Sequence, residues 1–207
     1  MPSACEPPDM NMKLLIATTN RGKFLEIEEA LAPLALQCVS PLDCGIAEQP
    51  EERGKTFEEN AAEKARFSFT RTNLPTLADD SGIIVEALKG ELGTHTRRWG
   101  AGAAASDKAW IDCFLERMRR EENKRAHFVC VLAYIDAAGI ARLFEGRCSG
   151  MITDVLEAPY LPGLPISACF RPEGCAQVFS ALPLEQKNYT SHRGRALGRF
   201  IAFLNEQ

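Results

Sequence analysis

Two adjacent carboxylates, Asp79 and Asp80, close an apolar stretch and are followed by Ser81-Gly82. At the end of a predicted strand only one of two neighbouring side chains faces a given direction, so one carboxylate is expected to bind and the other to support it. Such a carboxylate can ligate Mg²⁺, which prefers oxygen ligands, and can accept a proton from an attacking water. Taken alone, the same tetrapeptide is more typical of an acidic turn that caps its own backbone.

A candidate anion site lies at Thr18-Thr19-Asn20-Arg21-Gly22-Lys23, where a predicted strand passes into a predicted helix. Unpaired N–H groups at a helix start attract anions, Gly22 allows close approach of the backbone, and Lys23 adds a full charge. The spacing is not that of a Walker A loop. An alternative of equal weight is that Asn20 only caps the helix and Lys23 is solvated.

A second group of possible cations, Lys187, His192 and Arg193, lies just before and at the start of the last predicted helix. Cations at a helix N-terminus oppose the helix dipole, so an anionic ligand would relieve an unfavourable arrangement. Arg193 can hold a phosphate or a base carbonyl with its planar fork. A lone His in such a position is more often structural than catalytic.

Further charged side chains lie between the first anion site and the two aspartates. Glu51-Glu52 offers hard oxygen ligands in a loop, and Glu59 and Lys64 follow on a predicted helix. Because Lys64 is five positions beyond Glu59, the two do not form the usual helical ion pair. An ordinary solvated face is the alternative interpretation.

These candidate residues depend on elements that the hydrophobic pattern predicts. A strand at 13–18, a helix at 23–31 and a strand at 34–39 form an opening β-α-β unit with parallel pairing. Thr56-Phe57-Glu58-Glu59 fits a capping box. The remaining expectations are a helix at 56–72, a strand, an acidic turn and a second strand within 75–85, a helix at 106–120, a hairpin of 126–136 and 140–148, a long structured loop or edge segment at 156–175 and a helix at 191–204.

Composition limits the class of protein. The 207 residues carry a net charge of −4, which argues against a partner that is a nucleic acid polymer but allows a small phosphorylated ligand in a local basic cleft. Residues 13–207 are expected to form a single domain, divided into two lobes around a cleft. Residues 1–12 resemble a flexible tail rather than a secretory signal, and no apolar stretch is long enough for a bilayer. A cytoplasmic protein away from membranes is therefore expected.

Cysteine usage adds little to this picture. The 8 cysteines contain no C-x-x-C pair, and Cys130 lies in an apolar run. Reduced cysteines that pack as small core residues are the expected state.

The order and spacing of four motifs resemble the inosine triphosphate pyrophosphatase family, also called the non-standard purine NTP pyrophosphatases or XTP/dITP diphosphatases. The resemblance covers residues 13 to 204. The motifs are Thr18-Thr19-Asn20-x-x-Lys23, Gly54-x-Thr56-Phe57-x-Glu59-Asn60-Ala61-x-x-Lys64-Ala65, Ala78-Asp79-Asp80-Ser81-Gly82 and Glu185-x-Lys187-Asn188-x-x-Ser191-His192-Arg193.

The resemblance implies an elongated α/β protein with a long mixed β-sheet, flanking helices and two lobes around a central cleft, usually as a homodimer. It also implies Mg²⁺-dependent hydrolysis of a nucleoside triphosphate to the monophosphate and pyrophosphate. By position, Asp80 is similar to the family's general base and metal ligand, and Glu52 to its other metal ligand. Substrate contacts are expected from the following residues: Thr18, Thr19, Asn20, Lys23, Lys64, Ser81, Ser167, Lys187, His192 and Arg193.

The base-recognition loop departs from the family pattern. The family reads Gly-Phe-Gly-Tyr/Trp-Asp-Pro-x-Phe, whereas this chain has Leu164 for the stacking aromatic, Ile166 for the second aromatic and Ser167 for the Asp. Replacing Asp by Ser exchanges an anionic acceptor for a neutral hydroxyl. Trp99, in another divergent segment, is a possible source of the stacking lost from the loop, although a plain mobile loop is the simpler interpretation there.

Three hypotheses follow from this sequence. The first is an active pyrophosphatase for non-standard purines such as ITP, dITP and XTP. The second is the same chemistry on a different or modified nucleotide. The third is a nucleotide-binding protein with little turnover, which the rewritten base loop would favour.

Overall fold

The computed structural model describes residues 12–34, 36–48, 50–51, 53–102 and 104–206. Of the predicted tail at 1–12, residues 1–11 lie outside the described residues, and so does the predicted metal ligand Glu52.

A mixed, six-stranded sheet runs through the molecule in the order β2-β1-β3-β4-β5-β6. Its strands are β1 (Lys13–Ile16), β2 (Gln37–Val39), β3 (Thr76–Val85), β4 (Arg125–Ile135), β5 (Ala141–Ile152) and β6 (Phe170–Pro172). β1 pairs in parallel with β2 and β3, and every pairing from β3 to β6 is antiparallel. The predicted α/β class with a mixed sheet and an opening β-α-β unit is confirmed.

Helices flank this sheet, and side chains cap most of their starts. They are α1 (Arg21–Leu31), α2 (Phe57–Thr72), α3 (Asp107–Met118), α4 (Leu184–Thr190) and α5 (His192–Asn205). Asn20 caps α1, as expected, by accepting from Lys23 N at 3.1 Å. The Thr56 cap of α2 is also formed, but Glu59 accepts from the backbone of Lys55 at 2.6 Å rather than from Thr56 itself.

The predicted acidic turn at Asp79–Gly82 is wrong. Thr76–Val85 is one continuous strand whose residues pair one by one with β4, including Asp79 with Leu132 and Asp80 with Val131. Asp and Gly are rare inside central strands, so local propensity favoured a turn. Long-range pairing overrides that propensity here because cations on both faces of the sheet compensate the two carboxylates.

Two short elements complete the fold. Residues 184–190 form α4, and Ser191, which follows it, caps α5 by accepting from Gly194 N at 2.9 Å. The segment 156–175 contains β6, which pairs with β5 at the edge of the sheet, so the expected edge segment is confirmed. Both elements are short, so neither gives a periodic signal.

Buried apolar side chains collect at the two ends of the long central strands. At one end, Ile83 and Phe128 pack with Trp110 and Phe114 of α3. At the other end, clusters on the two faces of the sheet pack against α1, α5 and α2, with Leu77 among their members. The residues between these ends, around Asp79 and Asp80, line a cavity, which agrees with the predicted lobes around a cleft. Within the described part of the chain, no helix has the length and apolar character needed to cross a membrane.

Candidate active site

The alternation of side chains along β3 separates the two aspartates. Successive residues of a strand point to opposite faces of a sheet. Asp79 therefore faces α1 and α5, where it contacts Lys23 and Arg193, whereas Asp80 faces α2, where it contacts Lys64. The expectation that only one carboxylate faces each direction is thus observed in a strand rather than at a turn.

Asp79 is the centre of a buried ionic network. Its side chain is 0% exposed, forms an ion pair with Lys23, and accepts hydrogen bonds from Arg193 Nε at 3.0 Å and Cys130 Sγ at 3.1 Å. Ser81 Oγ donates to its other oxygen at 3.1 Å. Burial raises the pKa of Asp79, but the opposing charges of Arg193 and the nearby lysines prevail and hold it well below the usual range. This carboxylate is therefore a fixed anion that orients cations.

Asp80 occupies a more accessible position on the opposite face. Lys64 Nζ donates to its Oδ1 at 2.8 Å and Asn60 Nδ2 to its Oδ2 at 3.2 Å. Asn60 and Lys64 are four residues apart, so they share one face of α2 and reach the same carboxylate. The side chain of Asp80 keeps 9% exposure. Of the two aspartates, this one is suited to act on a bound ligand.

Arg193 is enclosed by acceptors from two elements, β3 and α1. Its guanidinium binds Asp79 of β3, forms an ion pair with Glu26 of α1, and donates to Ser81 Oγ at 3.0 Å. Burial works against the charged form, but the neighbouring carboxylates raise the pKa of Arg193 above its usual value. The Arg193 guanidinium therefore differs from one that is free to bind a phosphate, because protein groups already bind it.

Glu26 is a member of the site that the sequence analysis missed. It forms ion pairs with both Lys187 and Arg193, so it joins α1 to the segments at the start of α5. Burial raises the pKa of Glu26, and the two cations outweigh burial and lower it. The available signal was its spacing, because Glu26 lies one turn after Lys23 on the same face of α1.

His192 is packed between aromatic rings. Its ring is stacked on Phe128 with a centroid distance of 4.5 Å and near Phe179 at 5.9 Å. Within the described structure, its buried Nδ1 has no hydrogen-bond partner. Burial, assisted by the charge of Arg193, lowers the pKa of His192 well below its usual value. The imidazole is therefore neutral in the folded protein at physiological pH.

A cavity of about 530 Å³ connects all of these groups. One end is polar and cationic, and the other is apolar, with Trp110, Phe128, Leu164 and Phe179 in its wall. Every predicted ligand contact that the structure describes lines this single cavity: Thr18, Thr19, Asn20, Lys23, Lys64, Asp80, Ser81, Ser167, Lys187, His192 and Arg193. Residues from both ends of a 207-residue chain thus meet in one place, although their individual roles stay predictions.

The divergent base loop is held at one glycine. Gly163 O accepts from Asn20 Nδ2 at 3.0 Å, and Gly163 N donates to Asp107 Oδ2 at 2.6 Å. Its φ of 81° lies in the left-handed region, and a Cβ would meet the Asn20 side chain at 2.6 Å. Ser167 Oγ donates to Leu164 O at 2.6 Å, so its hydrogen is used within the loop.

The other divergent segment serves mainly as structure. Thr96 Oγ1 accepts from Ile83 N at 3.1 Å and donates to Gly93 O at 2.6 Å, which fixes the segment to β3. Trp99 packs edge-on against Trp110 and donates to Glu91 at 3.1 Å. In the described structure it is not among the residues of the cavity wall, so the suggestion that Trp99 supplies base stacking is wrong.

A sequence model described as the Ham1 family matches residues 14–203. The chain belongs to the Ham1 family. The predicted family resemblance is therefore confirmed over almost the whole chain.

Curated relatives and solved structures of Ham1 proteins agree with this assignment. The dITP/XTP pyrophosphatase of Leptospira interrogans is 36% identical, covering 94% of this chain and 98% of the relative. The dITP/XTP pyrophosphatase of Deinococcus radiodurans is 40% identical over 92% of each chain. The Ham1 protein structure from Staphylococcus aureus has a TM-score of 0.78 at 30% identity, covering 94% of this chain and 98% of that one. A HAM1 structure from Coxiella burnetii has a TM-score of 0.80 at 29% identity, covering 95% and 100%.

This Ham1 site offers few side-chain ligands for a Mg²⁺ ion. Among the described residues, no group of three or more His, Cys, Asp and Glu side chains could hold a metal ion by itself. Mg²⁺ usually takes only one or two carboxylates and completes its shell with substrate phosphates and water. Asp80, accessible on the cavity wall, fits that requirement, and Glu52 lies outside the described residues.

The buried, neutral His192 makes the stability of this Ham1 chain depend on pH. Because its folded pKa is depressed, the unfolded chain binds an extra proton below about pH 6.5, so the stability is complete above that value and falls as pH decreases. The expected loss is at most about 1.4 kcal/mol per pH unit for one proton. Urea unfolding between pH 7 and pH 5 should show a steeper loss of stability in the wild type than in His192→Phe.

His127 provides the control for that measurement. Burial and Arg147 also lower its pKa, so it contributes in the same direction from a different site. A His127→Phe variant should keep the part of the slope that belongs to His192. Equal slopes in the wild type and His192→Phe would show that His192 is not kept neutral by the fold.

Proposed function

We propose that this protein hydrolyses non-standard purine nucleoside triphosphates, such as ITP, dITP and XTP, to the monophosphate and pyrophosphate. The observation that carries the proposal is that Asp79 and Asp80 have different surroundings within one cavity. One carboxylate holds the cations, and the other is accessible to a ligand. The names of the relatives, dITP/XTP pyrophosphatases at 36% and 40% identity, support the same activity and substrate class.

The cationic end of the cavity suits a triphosphate. Lys23 and Lys64 line it, and the Thr18–Asn20 segment presents the N-terminus of α1 to the same space. Backbone N–H groups at a helix start and lysine side chains both stabilise phosphate oxygens. Arg193 and Lys187 also line the cavity, and Glu26 and Asp79 bind their charges. The acidic protein therefore has a local cationic surface where the anion would lie.

In the proposed reaction Asp80 accepts a proton from the water that attacks the α-phosphorus. The attack is in line with the bond to the departing pyrophosphate, whose growing charge is stabilised by Lys23 and Lys64. Asn60 holds Asp80 from behind by donating to Oδ2 at 3.2 Å, which restricts its rotation. The fixed Asp79 anion keeps Lys23 oriented towards the cavity.

We propose Mg²⁺ as the cofactor, held by Asp80 and Glu52 together with substrate phosphates. When bound, the ion would neutralise part of the triphosphate charge. A homodimer and a cytoplasmic location are also proposed, supported by the family resemblance and, for the location, by the sequence composition.

A panel of nucleotides tests the activity. Wild-type protein with Mg²⁺ and each of ITP, dITP, XTP and the standard NTPs and dNTPs should release monophosphate and pyrophosphate in equal amounts, fastest with the non-standard purines. Preference for another base would support the hypothesis that the protein performs the same chemistry on a different or modified nucleotide. Tight binding by calorimetry without product would instead select the binding protein with little turnover, and orthophosphate as the product would contradict pyrophosphate release.

The base loop gives a prediction about specificity. Ser167→Asp introduces an anionic acceptor, which favours the N1–H edge of a 6-keto purine and disfavours the N1 lone pair of adenine. Hydrogen bonds to charged groups contribute about 1.5–3 kcal/mol, so the ratio of kcat/KM for ITP to that for ATP should rise about tenfold or more. Leu164→Phe, combined with it, should lower KM further through stacking.

Ser167→Ala is the matched control for that pair of variants. It removes the hydroxyl without adding a charge, so the ITP to ATP ratio should change little. If the relative rates across bases were the same in the wild type, Ser167→Asp and the double variant, the loop would not determine specificity.

A further inference from the structure

We propose that the indole N–H of Trp110 reads a carbonyl oxygen on the base of the nucleotide. This inference rests on the proposed function and assigns a base contact to α3, outside the divergent loop. It arises from one observation: Trp110 is 2% exposed, lines the cavity, and its Nε1 has no hydrogen-bond partner within the described residues.

A buried donor without a partner needs a physical reason. Desolvating an N–H group without replacing its hydrogen bond costs about 1–3 kcal/mol, and native proteins satisfy nearly all such groups. The other tryptophan, Trp99, follows this rule because its Nε1 donates to Glu91 at 3.1 Å. A carbonyl oxygen that displaces a side chain now covering Nε1 would satisfy the Trp110 donor in the same way.

Neighbouring aromatic rings fix the orientation of Trp110. Its ring is stacked on Phe114 at 5.4 Å with an interplanar angle of 16°, and Trp99 meets it edge-on at 6.2 Å. A ring held on two sides has little rotational freedom to lose when a ligand binds. The donor is therefore preorganised, which favours discrimination between bases.

α3 is joined directly to the base loop. Asp107, in the first turn of α3, accepts from Gly163 N at 2.6 Å, and Trp110 lies three residues further along the helix. Trp110 shares the apolar end of the cavity with Leu164 and Ile166, the two positions where the loop lacks aromatic side chains. Its place in the fold is thus beside the base loop.

The chemistry of the donor selects the class of base. An N–H group satisfies the carbonyl oxygen of a 6-keto purine, whereas the exocyclic amino group of adenine presents another donor to it. A site built around a hydrogen bond discriminates against analogues that lack the partner, because the buried group is then left unpaired. Trp110 would therefore favour inosine and xanthosine nucleotides, even though this chain lacks the Asp of the usual base loop.

The test measures kcat/KM for two substrates in the wild type and in Trp110→Phe. The substitution removes the N–H and keeps an aromatic ring. ITP carries the carbonyl, and purine riboside triphosphate has only hydrogen at that carbon. The kcat/KM for ITP should fall about 2- to 10-fold, the effect of one neutral hydrogen bond, while the value for the analogue stays the same. If the analogue turns over too slowly, its inhibition constant against ITP hydrolysis replaces kcat/KM.

The ratio of kcat/KM for ITP to kcat/KM for purine riboside triphosphate, measured on one preparation, does not depend on the fraction of folded protein. Trp110→Leu provides a second variant without the N–H and should change the ratio equally. Trp99→Phe is the control, since it keeps an aromatic ring against Trp110 and removes only an indole N–H that donates to Glu91, outside the cavity wall of the described structure. An unchanged ratio in both Trp110 variants, or the same change in Trp99→Phe, would overturn the assignment. Absence of pyrophosphate release by the wild type would instead refute the proposed function.

Discussion

Asp80→Asn is expected to lower kcat/KM for pyrophosphate release by about 10²- to 10⁴-fold, the range for loss of a general base. The amide cannot take a proton from water, and it would replace the charged metal ligand that we propose with a neutral one. Because Lys64 Nζ donates to Asp80 Oδ1 at 2.8 Å, the variant also changes the charge beside that lysine. Steady-state hydrolysis of ITP with a coupled pyrophosphate assay measures the loss.

Asp112→Asn is the matched control for the Asp80 substitution. Asp112 lies on the exposed surface of α3 in an i,i+4 pair with Lys108, so the same chemical change occurs far from the cavity. Its activity should equal that of the wild type. Urea unfolding of Asp80→Asn separates a chemical defect from a folding defect, and full activity in a folded Asp80→Asn protein would exclude Asp80 as the base.

Asp79→Asn is expected to reduce the free energy of unfolding by about 3–5 kcal/mol, the cost of removing one partner of a buried ion pair. The substitution preserves volume but leaves Lys23 and Arg193 without the anion between them. Arg193 is 3% exposed, so water cannot compensate its charge well. Urea denaturation at pH 7 measures the change.

The pH dependence of Asp79→Asn should confirm the origin of that loss. In the wild type, the depressed pKa of Asp79 adds stability above the usual pKa of an aspartate, and this stability disappears as pH falls towards the folded pKa. The difference between wild type and variant should therefore shrink below about pH 4. Asp112→Asn, at an exposed pair, should cost little stability. A loss of that small size in Asp79→Asn would mean that the buried network does not stabilise the fold.

The general architecture and the meeting of the site residues could be predicted from the sequence. Periodic apolar positions predicted α1, α2, α3 and α5, and the strand-to-helix junction at Asn20 predicted the first anion site. These features are local, since a cap or a helix face depends on residues a few positions apart. The order of the four motifs along the chain indicated which distant residues meet in one cavity, and apolar periodicity does not contain that information.

Other parts of the site depend on contacts that no local pattern reveals. The two aspartates were assigned to a turn because charged residues are rare in a central strand, and only Lys64 on one face and Arg193 on the other make the strand possible. Arg193 was expected to face the ligand directly, whereas Asp79 and Glu26 enclose it. Trp110 was identified only as part of a helix, because its place in the cavity wall depends on how α3 meets the base loop.

The hydrogen bonds of Gly163 have a consequence for how this enzyme family changes its substrates. Asn20 and Asp107 hold the loop only through the backbone N–H and C=O of one residue. Exchange of the side chains at Leu164, Ile166 and Ser167 therefore leaves these two anchoring hydrogen bonds in place, and only the bond from Ser167 Oγ to Leu164 O depends on one of the three. The phosphate chemistry and the choice of base are in this way independently evolvable, so a lineage can acquire a new base preference by point substitution while the reaction persists.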